Sequence, residues 1–182
     1  MDISKLRWTR LQNEIFRLLC VNVSISLTQR EIARKLKVSP TAVSKSLQVL
    51  IKEKIAKIVR YNGKINLTSV ELERENTKAI NLKRIENLKM IYESGIVEFL
   101  KDKFPGTVII LFGSYSYGED TINSDIDIAV AGSKEKEIDL TKFEKLLERE
   151  INISVYPDIK EIHKNLRSNI FNGIVLAGGI EL

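Results

Sequence analysis

Residues 112–130 of the chain, FGSYSYGEDTINSDIDIAV, decide how its C-terminal half is interpreted. The stretch leaves an apolar run through Gly113 and Ser114, crosses a short polar loop, and enters a second apolar run that contains Asp125 and Asp127. Alternate residues of a β-strand point to the same face of the sheet, so both aspartates share a face. Burying two like charges this close together is costly unless a cation lies between them. The stretch therefore predicts a divalent cation.

The residue types narrow the chemistry of this site. Ligand sets made only of oxygen favour Mg²⁺ or Mn²⁺ over zinc. Gly113 and Ser114 have small side chains, so their backbone N–H groups can come close to a phosphate. A phosphate cradle beside two carboxylates suits phosphoryl or nucleotidyl transfer. The alternative interpretation is a structural loop in which Asp125 caps a turn.

The surrounding pattern predicts a small mixed sheet with helices, in an α+β fold. Short β-branched runs alternate with amphipathic segments from residue 104 to residue 182, which we take as one domain. The predicted strands are 107–112, 125–130 and 151–156, and the predicted helices are 137–150 and 159–172, with a short apolar tail after Gly173.

The Gly-Ser pair, ten intervening residues and Asp125-Ile126-Asp127 resemble the signature of the DNA polymerase beta-like nucleotidyltransferases. The closest form is the minimal nucleotidyltransferase domain of prokaryotes, which Gly118-Glu119, Ser124 and the terminal NIFNGIVLAG also match. The resemblance implies that Gly113 and Ser114 bind a nucleoside triphosphate. It further implies that Asp125 and Asp127 are catalytic and hold two Mg²⁺ ions, while a hydroxyl attacks the α-phosphorus and pyrophosphate leaves.

The chain departs from the family pattern at two points. The family places a third carboxylate on the next central strand, here 151–156, whose residues on the relevant face are Asn152, Ser154 and Tyr156. Asn152 is the best positional match; it can be a weak metal ligand but not a base. The loop arginine of the family is also missing, since residues 115–117 read Tyr-Ser-Tyr. With one metal site weakened and a cation lost, the stabilisation of the transition state would fall by several kcal/mol. Nucleotide or metal binding would then survive without turnover.

The charge of the chain is divided unevenly along its length. Residues 1–70 hold 14 Lys/Arg and 4 Asp/Glu, a net charge of +10, whereas residues 71–182 hold 15 and 20, a net charge of −5. This asymmetry indicates two modules with different partners. The partner of the first, positively charged module is expected to be anionic.

Residues 1–68 are predicted to form a winged helix-turn-helix domain. Helices at 5–21, 28–37 and 40–54 precede strands 55–61 and 64–67, which flank the hairpin signal Asn62-Gly63. The order resembles the DNA-binding half of bacterial and archaeal regulators, whose second motif helix enters the major groove. The DNA-contacting candidates are Thr41, Ser44, Lys45, Ser46, Gln48 and Lys52 on that helix, with Arg60, Tyr61 and Lys64 on the wing. The alternative is a winged helix used for protein contacts or dimerisation.

Residues 69–103 are predicted to form one long linker helix with a broad apolar stripe, ending at Phe104-Pro105-Gly106. An apolar face of that length needs cover. Its C-terminal half is expected to pack on the last domain. The N-terminal half is expected either to pair with a second copy, giving a homodimer, or to pack within one chain.

The whole sequence leaves two functional hypotheses. Cys20 is the only cysteine, which excludes an intrachain disulfide, and no apolar run is long enough for a membrane span, so a cytoplasmic protein is expected. The first hypothesis is a Mg²⁺-dependent nucleotidyltransferase with an unknown acceptor. The second is a DNA-binding transcriptional regulator whose nucleotidyltransferase-like domain is degenerate. The resemblance also implies a helical, toxin-like partner protein.

Overall fold

The structure is a computed structural model that describes residues 8–61 and 67–180 of the chain. It divides into two compact units, residues 1–83 and 84–182. No helix in the described part of the chain is both long enough and apolar enough to span a membrane.

The first unit contains three helices and a three-stranded antiparallel sheet of strand order β1-β3-β2. Its elements are α1 (Arg10–Val21), β1 (Leu27–Thr28), α2 (Gln29–Leu36), α3 (Pro40–Lys52), β2 (Ala56–Tyr61) and β3 (Leu67–Leu72). Ile15, Leu19, Ile32, Leu47 and Leu50 form the centre of its core, and Cys20 is buried among them. The arrangement is the predicted winged helix-turn-helix.

Local side chains fix where α2 and α3 begin. Thr28 accepts a hydrogen bond from the backbone of Glu31, whose carboxylate accepts one from Thr28 in return, so the two residues form a capping box. Ser39 accepts from the backbone of Ala42 at 3.2 Å. Lys37 ends α2 with a φ of 55°, in the left-handed region. The tight turn of the motif therefore forms here without glycine.

The second wing strand lies further along the chain than predicted. We expected it at 64–67, but β3 runs from Leu67 to Leu72 and pairs with all six residues of β2. Val70 and Leu72 are buried opposite Ile58 and Ala56, and this tertiary pairing overrides their helical spacing. Asn62-Gly63 and Lys64 lie outside the described residues.

The single helix predicted over 69–103 is wrong. After β3 the chain forms α4 (Thr77–Ser94) and α5 (Ile96–Lys103), and Gly95 separates them with a φ of 77°. A residue at positive φ cannot continue a right-handed helix, which is why the helix ends there.

The second unit, which begins within α4, has a four-stranded mixed sheet of order β6-β5-β4-β7. Its further elements are β4 (Val108–Phe112), α6 (Gly113–Tyr117), β5 (Ile126–Ala131), α7 (Thr141–Leu147), β6 (Ile151–Tyr156), a 3₁₀ turn (Ile159–Glu161), α8 (Lys164–Phe171) and β7 (Ile174–Ala177). Strands β5 and β6 are parallel, and the other pairs are antiparallel. The mixed sheet with helices is the fold class predicted.

Three further elements differ from the expectation. The helix predicted at 159–172 is a 3₁₀ turn at Ile159–Glu161 followed by α8 (Lys164–Phe171). The helix predicted at 137–150 is limited to Thr141–Leu147, and Glu148 ends it with a φ of 54°. The apolar tail contains β7, an edge strand that pairs with β4. A four-residue apolar run carries too little periodicity to be assigned as a strand from sequence.

The sheet brings three strand ends together at one edge. The C-terminal end of β4 lies beside the N-terminal end of β5, because these two strands are antiparallel. The N-terminal end of β6 lies on the other side of β5, because that pair is parallel. Below this edge, Ile110, Phe112, Ala129 and Ile170 form a buried cluster that holds α8 against the sheet. Polar residues at these strand ends are therefore positioned by strands that pack on a hydrophobic core.

Candidate functional site

The carboxylate pair lies at the edge where β4, β5 and β6 meet. Asp127 is the second residue of β5 and Asp125 immediately precedes the strand. In the sheet register, Asp127 is opposite Phe112 of β4 on one side and Asn152 of β6 on the other. Both aspartates are half-buried. The pair therefore sits on the sheet itself rather than on a loop tip.

The close contact with Asp127 restricts position 113 to glycine. Gly113 follows β4 directly, begins α6, and has a φ of 72°. A Cβ atom at this position would overlap the Oδ2 atom of Asp127. Glycine is required here both for its backbone conformation and for the close approach of a carboxylate. The Gly-Ser pair and the Asp pair of the sequence are thus neighbours in space.

Asn152 occupies the position beside the carboxylates. Its Nδ2 atom donates a hydrogen bond to Oδ2 of Asp125 at 3.0 Å. Ser154 and Tyr156 pair with Ala129 and Ala131, further from the strand ends. In residues 8–61 and 67–180, no three His, Cys, Asp or Glu side chains come together in a group able to hold a metal ion. The site therefore has two carboxylates and an amide where the family pattern has three acids.

The electrostatics of the pair favour protonation of Asp127. Partial burial raises the pKa of this carboxyl above its ordinary value, and repulsion from Asp125 raises it further. A hydrogen bond from Asn152 acts in the opposite direction and lowers the pKa. Burial is the largest of the three effects, so the ionised form of Asp127 is held at a cost that a bound cation would remove.

The loop between the two motifs is anchored by a residue that sequence reasoning missed. Asn87 of α4 is buried and donates to the carbonyl oxygen of Tyr115 at 2.9 Å and to Oδ1 of Asp120 at 2.7 Å. Asp120 is only 1% exposed and lies 3.9 Å from Nη2 of the buried Arg149. A single amide within a helical stripe gives no signal in sequence, because its partners are 28 and 33 residues away.

A cleft of about 610 Å³ opens beside Asp125. Its lining includes four acids and two bases; the ten residues are Ile122, Asn123, Ser124, Asp125, Thr141, Glu144, Lys145, Glu148, Arg149 and Glu150. One of its two cations, Arg149, is held by Asp120 and by the carbonyl oxygen of Glu148. The space next to the carboxylates thus carries net negative charge.

The predicted DNA-contacting residues form an exposed surface on α3, with one exception. Thr41, Lys45, Gln48 and Lys52 are exposed, Ser44 is half-buried, and Arg60 is exposed on β2. Ser46 is only 8% exposed, so the expectation that it reaches a base edge is wrong. It lies on the core side of the helix beside Leu47 and Leu50. Lys64 lies outside the described residues.

Comparison with protein families agrees with both halves of this description. Residues 93–176 match the family model of the nucleotidyltransferase domain, and residues 14–57 match that of a winged helix-turn-helix described as DNA-binding. The chain joins a winged helix-turn-helix domain to a nucleotidyltransferase domain. The nucleotidyltransferase match includes the Gly-Ser pair, the Asp pair and Asn152.

Three of the solved structures that match show limited similarity to this chain. A point mutant of Lactococcus lactis ZitR is 27% identical over 56% of this chain and 65% of its own, with a TM-score of 0.42. Wild-type ZitR in complex with DNA is 26% identical over 54% and 63%, with a TM-score of 0.41. The Streptococcus pyogenes adhesin competence repressor AdcR is 21% identical over 57% and 72%, with a TM-score of 0.43.

This chain spans less than two thirds of both ZitR structures. All three TM-scores are below 0.5, too low to support an inference about fold or function. No curated protein matches the chain significantly.

The contact between Gly113 and Asp127 can be tested by stability measurements. Gly95 and Gly113 both have positive φ, but a Cβ at Gly95 meets no atom within 4 Å. Gly95→Ala should therefore cost only backbone strain, about 1 kcal/mol. Gly113→Ala should cost about 2–4 kcal/mol, because overlap with the carboxylate adds to the strain. Urea unfolding followed by far-UV circular dichroism measures both.

The control for this comparison is Gly113→Ala in an Asp127→Ala background. Without the carboxylate, the cost of the glycine substitution should fall to that of Gly95→Ala. An unchanged cost in that background would show that the overlap is not with Asp127.

The raised pKa of Asp127 predicts an opposite pH response for two Asp→Asn variants, measured without metal. The folded state binds a proton at Asp127 more tightly than the unfolded state, so the carboxylate lowers stability once the pH exceeds the unfolded value of about 3.9. Asp127→Asn should be more stable than the wild type at pH 7, and the difference should vanish below that value.

Asp139 supplies the matched control. Hydrogen bonds from Thr141 lower the pKa of its carboxyl. Its contribution is therefore favourable above the unfolded pKa and is lost as the pH falls, so Asp139→Asn should be less stable at pH 7. Thermal unfolding between pH 3 and pH 8 gives both curves. A loss of stability at pH 7 in Asp127→Asn would contradict the interpretation.

Proposed function

We propose that this protein is a DNA-binding regulator whose nucleotidyltransferase domain binds a nucleoside triphosphate with Mg²⁺ and transfers its nucleotidyl group slowly. The observation that carries the proposal is the amide of Asn152 beside Asp125 and Asp127, where the family pattern calls for a third carboxylate. The pair that binds metal is present, and the group that would remove the proton of an acceptor hydroxyl is not.

The residues present fit a magnesium ion. Asp125 and Asp127 offer four hard oxygen atoms, and the carbonyl oxygen of Asn152 offers a weaker one, which is the ligand chemistry that Mg²⁺ or Mn²⁺ prefers. The raised pKa of Asp127 marks a site where a cation would relieve repulsion. Bound there, the metal would neutralise the triphosphate that Gly113 and Ser114 approach with their backbone.

The missing acid limits catalysis more than binding. A positioned general base is typically worth about 10²–10⁴ in rate. The amide of Asn152 cannot accept a proton at neutral pH, and its Nδ2 group donates towards Asp125. We therefore assign the domain a nucleotide-sensing role coupled to DNA binding.

A second candidate is an active nucleotidyltransferase, which the intact Asp125 and Asp127 pair favours. Gly113 retains the close contact with Asp127 that a catalytic arrangement needs. On this alternative, the acceptor itself or bulk water removes the proton, and transfer to a small molecule, RNA end or protein side chain proceeds at a measurable rate.

Asn152→Asp separates the two candidates. Restoring the carboxylate should raise transfer from labelled ATP, CTP, GTP or UTP by about 10²-fold if the missing base is what limits the wild type. The assay includes Mg²⁺ or Mn²⁺, with nucleic acid or cell lysate as acceptor. Asn152→Ala, which adds no acid, should give no gain, and Asp125→Ala/Asp127→Ala defines the background.

Nucleotide binding is measured in the same samples by the shift in thermal unfolding that Mg²⁺-ATP produces. Wild type and Asn152→Asp should both be stabilised, whereas Asp125→Ala/Asp127→Ala should not. Efficient transfer by the wild type, unchanged in Asn152→Asp, would favour the enzyme and contradict the slow-transfer proposal.

The DNA-binding role rests on the exposed polar face of α3 and the net charge of +10 in residues 1–70. Lys45 and Lys52 can reach phosphates, while Thr41, Ser44 and Gln48 can reach base edges. Arg60 can contact the backbone or minor groove from the wing. These contacts are electrostatic in large part, so they should weaken with salt.

Salt titration tests this role. Lys45→Gln should weaken binding to a labelled duplex of about 30 base pairs and reduce the slope of log K against log salt by about 0.9, the value for one phosphate contact. Lys78→Gln removes the same charge from α4, where Lys78 pairs with Glu53, and should leave the slope unchanged. Fluorescence anisotropy from about 50 to 300 mM salt gives both slopes, and binding insensitive to salt would refute the role.

Homodimerisation and a helical toxin-like partner stay predictions. Ile85 and Tyr92, seven residues apart on α4, are 63% and 45% exposed, so an apolar face of this helix is open to solvent.

A further inference from the structure

The phosphate loop of this protein carries no cation of its own. Residues 113–124 contain Glu119 and Asp120 but neither lysine nor arginine, and Tyr115 and Tyr117 stand in the part of the loop where the family pattern has arginine. A triphosphate carries several negative charges, and the pair Asp125 and Asp127 repels it. Besides a bound metal ion, tight binding of a triphosphate here would need positive charge from the protein outside this loop.

Helix α4 brings an arginine to this loop. The Cζ atom of Arg84 lies 5.9 Å from the centroid of the Tyr117 ring, the distance of a cation–π contact. Tyr117 is the last residue of α6 and lies three residues after Ser114, so the two share a face of that short helix. Arg84 is therefore held beside α6, the short helix that begins at the Gly-Ser pair.

A second contact shows that this face of α4 is fixed against the loop. Asn87 follows Arg84 by three residues, which places both side chains on one face of the helix. Asn87 is buried and bonded to the carbonyl oxygen of Tyr115 at 2.9 Å. The position of Arg84 beside α6 thus depends on a buried hydrogen bond as well as on its own ring contact.

Arg84 differs from Arg149 and Lys89 in how its charge is used. Across residues 8–61 and 67–180, no carboxylate lies within ion-pair distance of Arg84. By contrast, Arg149 is buried against Asp120, and Lys89 pairs with Glu86 and Glu93. Arg84 is half-buried, so part of the residue stays accessible to a ligand.

We propose that Arg84 binds a phosphate of the nucleoside triphosphate and supplies, from α4, the charge that the loop lacks. Its planar guanidinium can stack on Tyr117 while its N–H groups donate to phosphate oxygens, a combination that lysine cannot reproduce. The inference rests on the proposed nucleotide-binding function and names a specificity-determining residue for it: Arg84 selects for phosphate rather than for the nucleoside.

The test compares phosphate-dependent with phosphate-independent affinity in the full-length protein. ATP with Mg²⁺ and adenosine are each measured by displacement of a fluorescent ATP analogue. Arg84→Gln should weaken ATP about tenfold, the range for one hydrogen bond to a charged group, while adenosine changes little. Arg84→Lys should recover part of the loss. Lys89→Gln, which removes the same charge from the same helix, should bind ATP like the wild type.

The outcomes separate this inference from the function on which it rests. If the wild type binds neither ATP nor the analogue, the proposed nucleotide-binding function is wrong. If the wild type binds ATP and Arg84→Gln binds it equally well, only the role of Arg84 is wrong. Equal weakening of ATP and adenosine in Arg84→Gln would show that Arg84 merely supports the structure and would also overturn the proposal.

Discussion

The close approach of Gly113 to the carboxylate of Asp127 constrains the whole candidate site. The chain leaves β4 at positive φ without a Cβ, and only this geometry lets α6 start directly beside β5. The antiparallel register pairs Phe112 with Asp127 and so places Gly113 next to the carboxylate. A slip of one residue would turn Asp127 to the opposite face and place an isoleucine at the site. The strand register therefore determines which side chains stand at the site.

The parallel pairing of β5 with β6 determines which residue lies beside the two aspartates. It places Asn152 beside Asp127, so the identity of one residue sets the charge of the cluster. A third carboxylate there would add repulsion to a pair in which burial already raises the pKa of Asp127. The amide removes that repulsion and donates to Asp125. The amide therefore stabilises the site in the absence of metal. It cannot, however, abstract a proton from an acceptor.

Sequence reasoning succeeded where the signal was local. The caps at Thr28 and Ser39 were predictable because a side chain and its backbone partner are three residues apart. The Gly113 and Asp127 pair could be predicted as a unit because a short loop joins them. The strand at residues 69–72 could not, since Val70 and Leu72 owe their conformation to pairing with β2. Asn87 was missed for the same reason, because its partners are distant in sequence.

Under the proposed function, the charges around the site would make nucleotide and metal bind together. A triphosphate alone would meet the two aspartates, and two unit charges about 4 Å apart repel by about 4 kcal/mol at an effective dielectric constant of about 20. The neighbouring cleft adds Glu144, Glu148 and Glu150 to that repulsion. A divalent cation between the carboxylates would turn this repulsion of the triphosphate into an attraction. Because linkage is reciprocal, metal and nucleotide would then raise each other's binding affinity by the same factor.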